Sequence, residues 1–376
     1  MTTSALPADL RDPINAAILA VSEDRLQGFH DDPFGEIARV SQIEIEDVLG
    51  RLKAMLASGT IRRIRQTLLS TRLAASALVA WKLPPDRLDA AFDYMFENDP
   101  FSGHVVLRST DPGTQGSDFR LWTTLKVPQG FSLEKHCTLL GRSVGATAYR
   151  AMPARCLFVL GVGHVRRRSM LPGAKSQDPP EVIDTEVIEL SERDWRVLKA
   201  LKREFAPEEI RRDVWPGRAA EAGLSVDEFC AAAHDLDARG IIGRFSTFLE
   251  HVKPLADGAR VTRYNGLFHW AVPEGSELKA GREIGRHYIL THAYWRPAGP
   301  EFGNVNIMGV VHGLDKDVVL QHKAAIDDHL RSVGIPVRYT NVFWGGRSEI
   351  KPSEIMPASY ISWCESRGIN PDSMRE

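Results

Sequence analysis

Apolar residues recur at helical spacing in two widely separated places. Ile45, Val48, Leu49, Leu52 and Leu56 form one stripe, and Val226, Phe229, Ala233 and Leu236 form the other. Residues three and four apart share a helix face, so each stretch predicts an amphipathic helix. Another such helix precedes each, Ile14 to Val21 and Trp195 to Leu201, the latter opened by Ser191 as N-cap. The segments around them match too. Pro33-Phe34-Gly35 leads to Ser58-Gly59-Thr60-Ile61-Arg62-Arg63-Ile64, and Trp215-Pro216-Gly217 leads to Arg239-Gly240-Ile241-Ile242-Gly243-Arg244-Phe245. Gly59 and Gly240 suit helix C-termini, and the β-branched residues after them suit the first strand of a wing. Three helices, a glycine and a short strand pair describe a winged helix-turn-helix, present twice.

The pattern after each winged unit also repeats. A strand ending in Trp-x-x-Pro (Ala77 to Pro84; Leu267 to Pro273) precedes a helix (Asp86 to Glu97; Glu277 to Arg286). Two strands follow (Gly103 to Ser109 and Phe119 to Val127; Tyr288 to Tyr294 and Val305 to His312). A second helix (Leu133 to Leu140; Lys316 to Val333) and a last strand (Thr147 to Ala151; Pro336 to Asn341) complete each set. The order βαββαβ predicts a ferredoxin-like antiparallel sheet with helices on one face. The expected fold is therefore α+β, a tandem repeat of winged helix-turn-helix plus ferredoxin-like domain. Its boundaries are 1–70 and 71–165 for the first copy and 190–250 and 251–376 for the second. Residues 166–189 form the linker, opening RRRSMLPGAKSQDPP without apolar period.

Composition narrows the function classes. A chain of 376 residues exceeds one ordinary core, and 43% hydrophobic with 26% charged residues marks an ordered protein. A formal charge of −2 gives no general pull toward polyanions or anionic membranes. Helices that read DNA in such a unit would open here on Gln42-Ile43-Glu44-Ile45-Glu46-Asp47 and Ser225-Val226-Asp227-Glu228. Acidic starts suit the helix dipole but repel phosphate, so specific DNA binding is not expected, although Arg62, Arg63, Arg65 and Arg244 leave weak backbone contact open. The run Cys156 to Val162 is far shorter than the ~20 residues a membrane helix needs. Met1 to Ala20 lacks a signal-peptide pattern, and four scattered cysteines indicate neither a zinc site nor a disulfide framework. A cytoplasmic protein is expected.

Candidate chemistry sits on the second strand of each ferredoxin-like unit. His104-Val105-Val106-Leu107-Arg108 and His292-Ala293-Tyr294-Trp295-Arg296 share the pattern H-x-x-[LW]-R. Alternation along a strand puts each His and Arg on one face. Arg offers a fork of donors for a carboxylate and His can move a proton near neutral pH, so the pair suits an anion site. A solvated strand face would carry the same residues, and it is their repetition that favours function. The next strand holds Phe119-Arg120-Leu121-Trp122 and Val305-Asn306-Ile307-Met308, with His312-Gly313 closing the second. Alternation alone makes Trp122 and Met308 core. Seven of the 12 histidines fall at or after His251, which points to the second half as the reactive one. No HExxH, Walker or dinucleotide motif occurs, and no protein-bound metal is expected. Gly141-Arg142-Ser143-Val144-Gly145 matches G-x-S-x-G, but a helix precedes it and a strand follows, the reverse of a nucleophile elbow.

This architecture resembles the Lrp/AsnC family of ligand-sensing regulators, over nearly the whole chain and twice. Within it, the strand motifs resemble the siroheme decarboxylases, whose two related subunits are sometimes fused. His104 to Arg108 with Phe119 to Leu125 is similar to one subunit's pattern, with Arg120 where the family has Asn. His292 to Pro297, Asn306 and Val311-His312-Gly313 are similar to the other's, while Phe343 to Lys351 departs from the family's end. The resemblance implies removal of carbon dioxide from acetate side chains of siroheme or a related iron tetrapyrrole, on a route to heme or d-type heme. It implies His292, Arg296 and His104 as catalytic residues and Arg108, Arg120, Trp122, Tyr294, Asn306 and His312 as substrate-binding ones. It also implies no cofactor beyond the iron tetrapyrrole that is the substrate, and it allows a homodimer. The rival expectation is an Lrp/AsnC-type transcriptional regulator that senses a small molecule.

Overall fold

The computed structural model describes residues 6–160, 170–250 and 262–376. Arg166 to Arg168 of the expected linker and His251 lie outside the described residues. In chain order the first half contains α1 (Pro13–Ser22), β1 (Leu26–Gln27), α2 (Pro33–Ser41), α3 (Ile45–Ala57), β2 (Ile61–Leu68), β3 (Ala74–Lys82), α4 (Leu88–Asn98), β4 (Ser102–Ser109), β5 (Phe119–Pro128), α5 (Leu133–Val144), β6 (Ala148–Pro153) and β7 (Cys156–Leu160). The second contains β8 (Ile183–Asp184), α6 (Glu192–Lys202), α7 (Pro216–Ala222), α8 (Val226–Ala238), β9 (Ile242–Leu249), β10 (Tyr264–Ala271), α9 (Glu277–Gly285), β11 (Leu290–Gly299), β12 (Val305–Gly313), α10 (Lys316–Ser332), β13 (Tyr339–Ile350) and α11 (Pro357–Ser366).

The chain divides into two compact units that group like with like. Of the described residues, one combines 6–69 and 189–250, and the other 70–160, 170–188 and 262–376. In the winged unit the caps are those the sequence offers. Ser191 and Ser225 each close a capping box, with Asp194 and Glu228 respectively, and Gly59 and Gly240 take left-handed φ of 78° and 66°. Two details differ from expectation. Helix α3 begins at Ile45, because Gln42 already has a left-handed backbone (φ 59°) as the C-cap of α2. The wing is also not a hairpin within each copy: β2 pairs antiparallel with β9, and β1 with the other edge of β9. Each copy supplies one long strand, and the backbone donors a local hairpin would satisfy are met by the other copy.

The second unit has one sheet of ten strands, β6-β3-β5-β4-β13-β10-β12-β11-β7-β8. Each half shows the ferredoxin-like order, and the halves meet by reciprocal exchange. The second part of β13 leaves its own sheet to pair with β4, from Trp344↔Ser109 to Ile350↔His104. The strand after β6, β7, pairs with β11, from His292↔Leu160 to Trp295↔Cys156. Neither exchange follows from a βαββαβ reading, which ends each half at its fourth strand. The outer faces are buried under helices. Phe92, Met95, Leu140 and Tyr360 of α4, α5 and α11 pack on the first half, and Ala280, Ile284, Ile326 and Leu330 of α9 and α10 on the second. The inner faces close on each other, with Ala80, Val106, Trp122 and Met152 of the first half in one cluster with Leu267, Met308 and Phe343 of the second. The Arg155 amide, between β6 and β7, donates to the Trp295 carbonyl of β11 at 2.8 Å.

Candidate functional site

The two H-x-x-x-R strands occupy matching places in this sheet. Strand β4 lies between β5 and β13, and β11 between β12 and β7. Val105 and Ala293 belong to the outer cores under the helices, and Val106 to the inner one. By strand alternation, His104, Val106 and Arg108, and likewise His292, Tyr294 and Arg296, lie on the inner face of the sheet, away from the helices. Each strand is flanked by one from the other half, so each candidate site is built by both halves.

In the first site His104 is half-buried, with Nε2 2.8 Å from Ser348 Oγ on β13. Arg108 is buried and donates from Nη1 to Asn265 Oδ1 at 3.3 Å. Burial pushes its guanidinium down to about 10. In the second site the rings of His292 and Tyr294 stack at 5.9 Å and 6°. The guanidinium of Arg296 lies 4.5 Å from the Tyr294 ring and donates to the Met152 carbonyl at 2.5 Å. Burial raises the Tyr294 phenol and lowers Arg296. Thr291 Oγ1 joins His292 Nδ1 (3.3 Å) and His312 Nδ1 (3.4 Å), so His312 does reach the second site. A carboxylate brought here would meet a fork of donors, an imidazole and a phenol in a desolvated setting, where each polar contact counts for more than in water.

Three expected binding residues are placed otherwise. Trp122 is fully buried in the inner core and donates its indole N–H to the Phe119 carbonyl at 2.7 Å, so it is a wall of the sandwich and not a free contact group. Asn306 is buried at the strand end, where Oδ1 accepts from Val272 N and Nδ2 donates to Val272 O and Glu277 Oε1. Its polar atoms tie β12 to the β10–α9 turn. Arg120 is exposed and donates through Nε to the Arg108 carbonyl at 2.9 Å.

The structure adds His269, which is fully buried on β10 between the rings of Phe343 (5.0 Å) and Trp122 (6.1 Å). Neither ring nitrogen has a hydrogen-bond partner, and burial, with Arg108 and Lys323 nearby, pushes it down to about 3. It is a neutral imidazole. Its signal in the sequence was the mismatch between copies, because Trp81 and Trp270 correspond while the residue before them is Ala80 in one and His269 in the other.

Residues 73–158 match the model of the AsnC-like ligand binding domain. Over 312 residues the chain is 25% identical to the siroheme decarboxylase NirDL subunit of Paracoccus pantotrophus, covering 80% of this chain and 88% of that one. The chain is a homologue of siroheme decarboxylase NirDL. A second relative, the siroheme decarboxylase NirH subunit of Stutzerimonas stutzeri, is 31% identical over 103 residues, 27% of this chain and 57% of that one. Among solved structures, the siroheme decarboxylase NirDL in co-complex with an iron-uroporphyrin III analogue superposes with a TM-score of 0.64. It covers 94% of this chain and 99% of that one at 18% identity, which shows a shared Lrp/AsnC-like fold.

Proposed function

We propose that this NirDL homologue is a carboxy-lyase that removes carboxyl groups from acetate side chains of siroheme, or a closely related iron tetrapyrrole, in d-type heme formation. The alignment with the NirDL subunit along most of both chains carries this reading. The reaction converts ring–CH2–CO2⁻ and a proton into ring–CH3 and CO2. The C–C pair stays on the side-chain carbon, delocalised toward the macrocycle, until a proton arrives there. No electrons are gained or lost, so the reading includes no redox cofactor; the iron comes with the substrate.

Arg296 and Arg108 are assigned to carboxylate binding. Each already gives a hydrogen bond to a protein oxygen, so it is fixed in direction before the substrate arrives. His292 is assigned as proton donor, oriented by Thr291 and by stacking on Tyr294. Tyr294 keeps its proton and can donate a hydrogen bond to a second carboxylate. His104 holds the matching place in the first site. Burying the carboxylate strips it of water, which favours loss of neutral CO2. Siroheme added to purified protein, with the visible spectrum followed, tests binding; the absence of any spectral change across a panel of carboxylated tetrapyrroles contradicts the reading. Among the described residues no helix is long and apolar enough to cross a membrane, and all four cysteines are unpaired, which supports placing the reaction in the cytoplasm.

A further inference from the structure

Arg150 on β6 carries a charge that the proposed reaction does not use. Its partner across the ladder is Ala80 of β3, and directly opposed residues share a face. Ala80 and Met152 belong to the inner core cluster, while Tyr149 and Ala151 pack against the outer one, so Arg150 lies on the inner face. The second site is on that face too: two residues further along β6, the Met152 carbonyl accepts from Arg296 Nη1. The guanidinium of Arg150 rests on the end of β11. A Cβ at Gly299 would come within 2.3 Å of its Nη2 and 2.6 Å of its Cζ. Gly299 has φ 85° and ψ −179°, a conformation that is essentially glycine's alone, so this backbone both turns and leaves room for the charge. Arg150 is half-buried, and its Nε is enclosed without an acceptor. Among the described residues it forms no hydrogen bond or ion pair, although Glu301 Oε2 lies 3.0 Å from the same point over Gly299.

A guanidinium held half out of water with no anion beside it is desolvated without compensation. Arg296 is buried on the same face, and its contacts are the Met152 carbonyl and the Tyr294 ring; among the described residues it has no carboxylate partner either. Two uncompensated cations where β6 meets β11 suit a ligand that brings two negative groups on one rigid frame. We propose that Arg150 is a further substrate-binding residue, which takes a second carboxylate of the tetrapyrrole whose first is held by Arg296. This rests on the carboxy-lyase reading and adds what fixes the orientation of the macrocycle. One fork holds a carboxylate and leaves the frame free to swing about it, whereas two forks from different strands set which side chain meets His292. Gly299 keeps the place of the second fork open. Because β6 belongs to the first half and β11 to the second, the second site takes one of its two cations from each.

The test is a visible-spectrum titration of the full chain with siroheme at constant ionic strength, beside thermal unfolding without ligand. Wild type should show a saturable shift. Arg150→Gln should raise the siroheme Kd on the order of tenfold or more, the scale of a lost charge-assisted contact, and should leave the Tm unchanged because no contact within the protein is lost. Arg150→Lys keeps the charge and loses the fork, so its Kd should fall between the two, and it serves if the Gln variant does not fold. Wild-type affinity in both variants overturns the proposal, as does a lowered Tm with affinity intact, which would make Arg150 a structural residue. Those outcomes leave the proposed function standing. No shift in wild type is a different result, which overturns the proposed function and this inference with it.

Discussion

At the residue scale, His292 and Arg296 lie on the same strand face and are expected to fail differently. Replacing His292 by Ala removes the assigned proton donor but no buried charge. Single-turnover rates should fall by on the order of a hundredfold or more while spectral binding of siroheme survives. Replacing Arg296 by Ala removes a buried donor to the Met152 carbonyl as well as a carboxylate partner. Tetrapyrrole affinity should drop first, and stability by about 1–3 kcal/mol. Full activity in His292→Ala removes it from the chemistry, and a changed spectrum without a changed rate makes it an iron ligand. His269 gives a pH prediction with a definite sign. Its folded pKa, about 3, lies below the ordinary value of 6.5. Its neutral form is therefore favoured by folding, and the linked stability is complete above pH 6.5 and is lost as pH falls toward 3. His287, pushed down to about 4 by burial and by neighbouring His329 and Lys175, contributes in the same direction. His269→Phe should flatten the acid limb of stability, measured by denaturant unfolding between pH 7 and 4. An unchanged limb contradicts a buried neutral imidazole.

At the element scale, the periodic helices and the order of strands were legible in the sequence because amphipathic spacing and caps are local. Ser191, Gly59 and Gly240 are cases where one residue type has one physical use. The placement of His104 with Arg108, and of His292 with Arg296, on shared faces was legible for the same reason. Pairings between halves were not, since the residues of β13 beyond Asn341 look the same whether they continue a strand or leave the domain. Alternation could not say that Asn306 spends its amide on Val272, whereas it did make Trp122 core, where the structure buries it. The exchange of β7 is testable through α9. A Cβ at Gly281 would come within 1.9 Å of the Phe158 ring, and one at Gly285 within 3.2 Å of Phe158 Cβ. Gly281→Ala should cost about 1–3 kcal/mol by overpacking, read by chemical denaturation, although an exposed helix Gly→Ala ordinarily stabilises. A stabilised variant would mean that Phe158 does not seat there. The acidic first turns of α3 and α8 carry their own prediction, that the chain binds duplex DNA no better than a generic acidic protein. Tight, sequence-dependent gel shifts at physiological salt would contradict it.

At the scale of the whole molecule, duplication has produced one winged unit and one sheet unit, each assembled from both halves of the chain. Each H-x-x-x-R strand borrows an edge from the other half, so neither half holds a complete site. The copies then differ where chemistry would: Tyr294 against Val106, and His269 against Ala80. This fits a site whose reactive residues concentrate in the second half and whose walls come from the first. Anaerobic incubation of the purified chain with siroheme, with products read by mass spectrometry, addresses the central claim directly. The expected result is loss of carbon dioxide from acetate side chains, each replaced by a methyl, with the iron and macrocycle retained. Siroheme bound with its spectrum shifted but recovered unchanged in mass would contradict the carboxy-lyase reading.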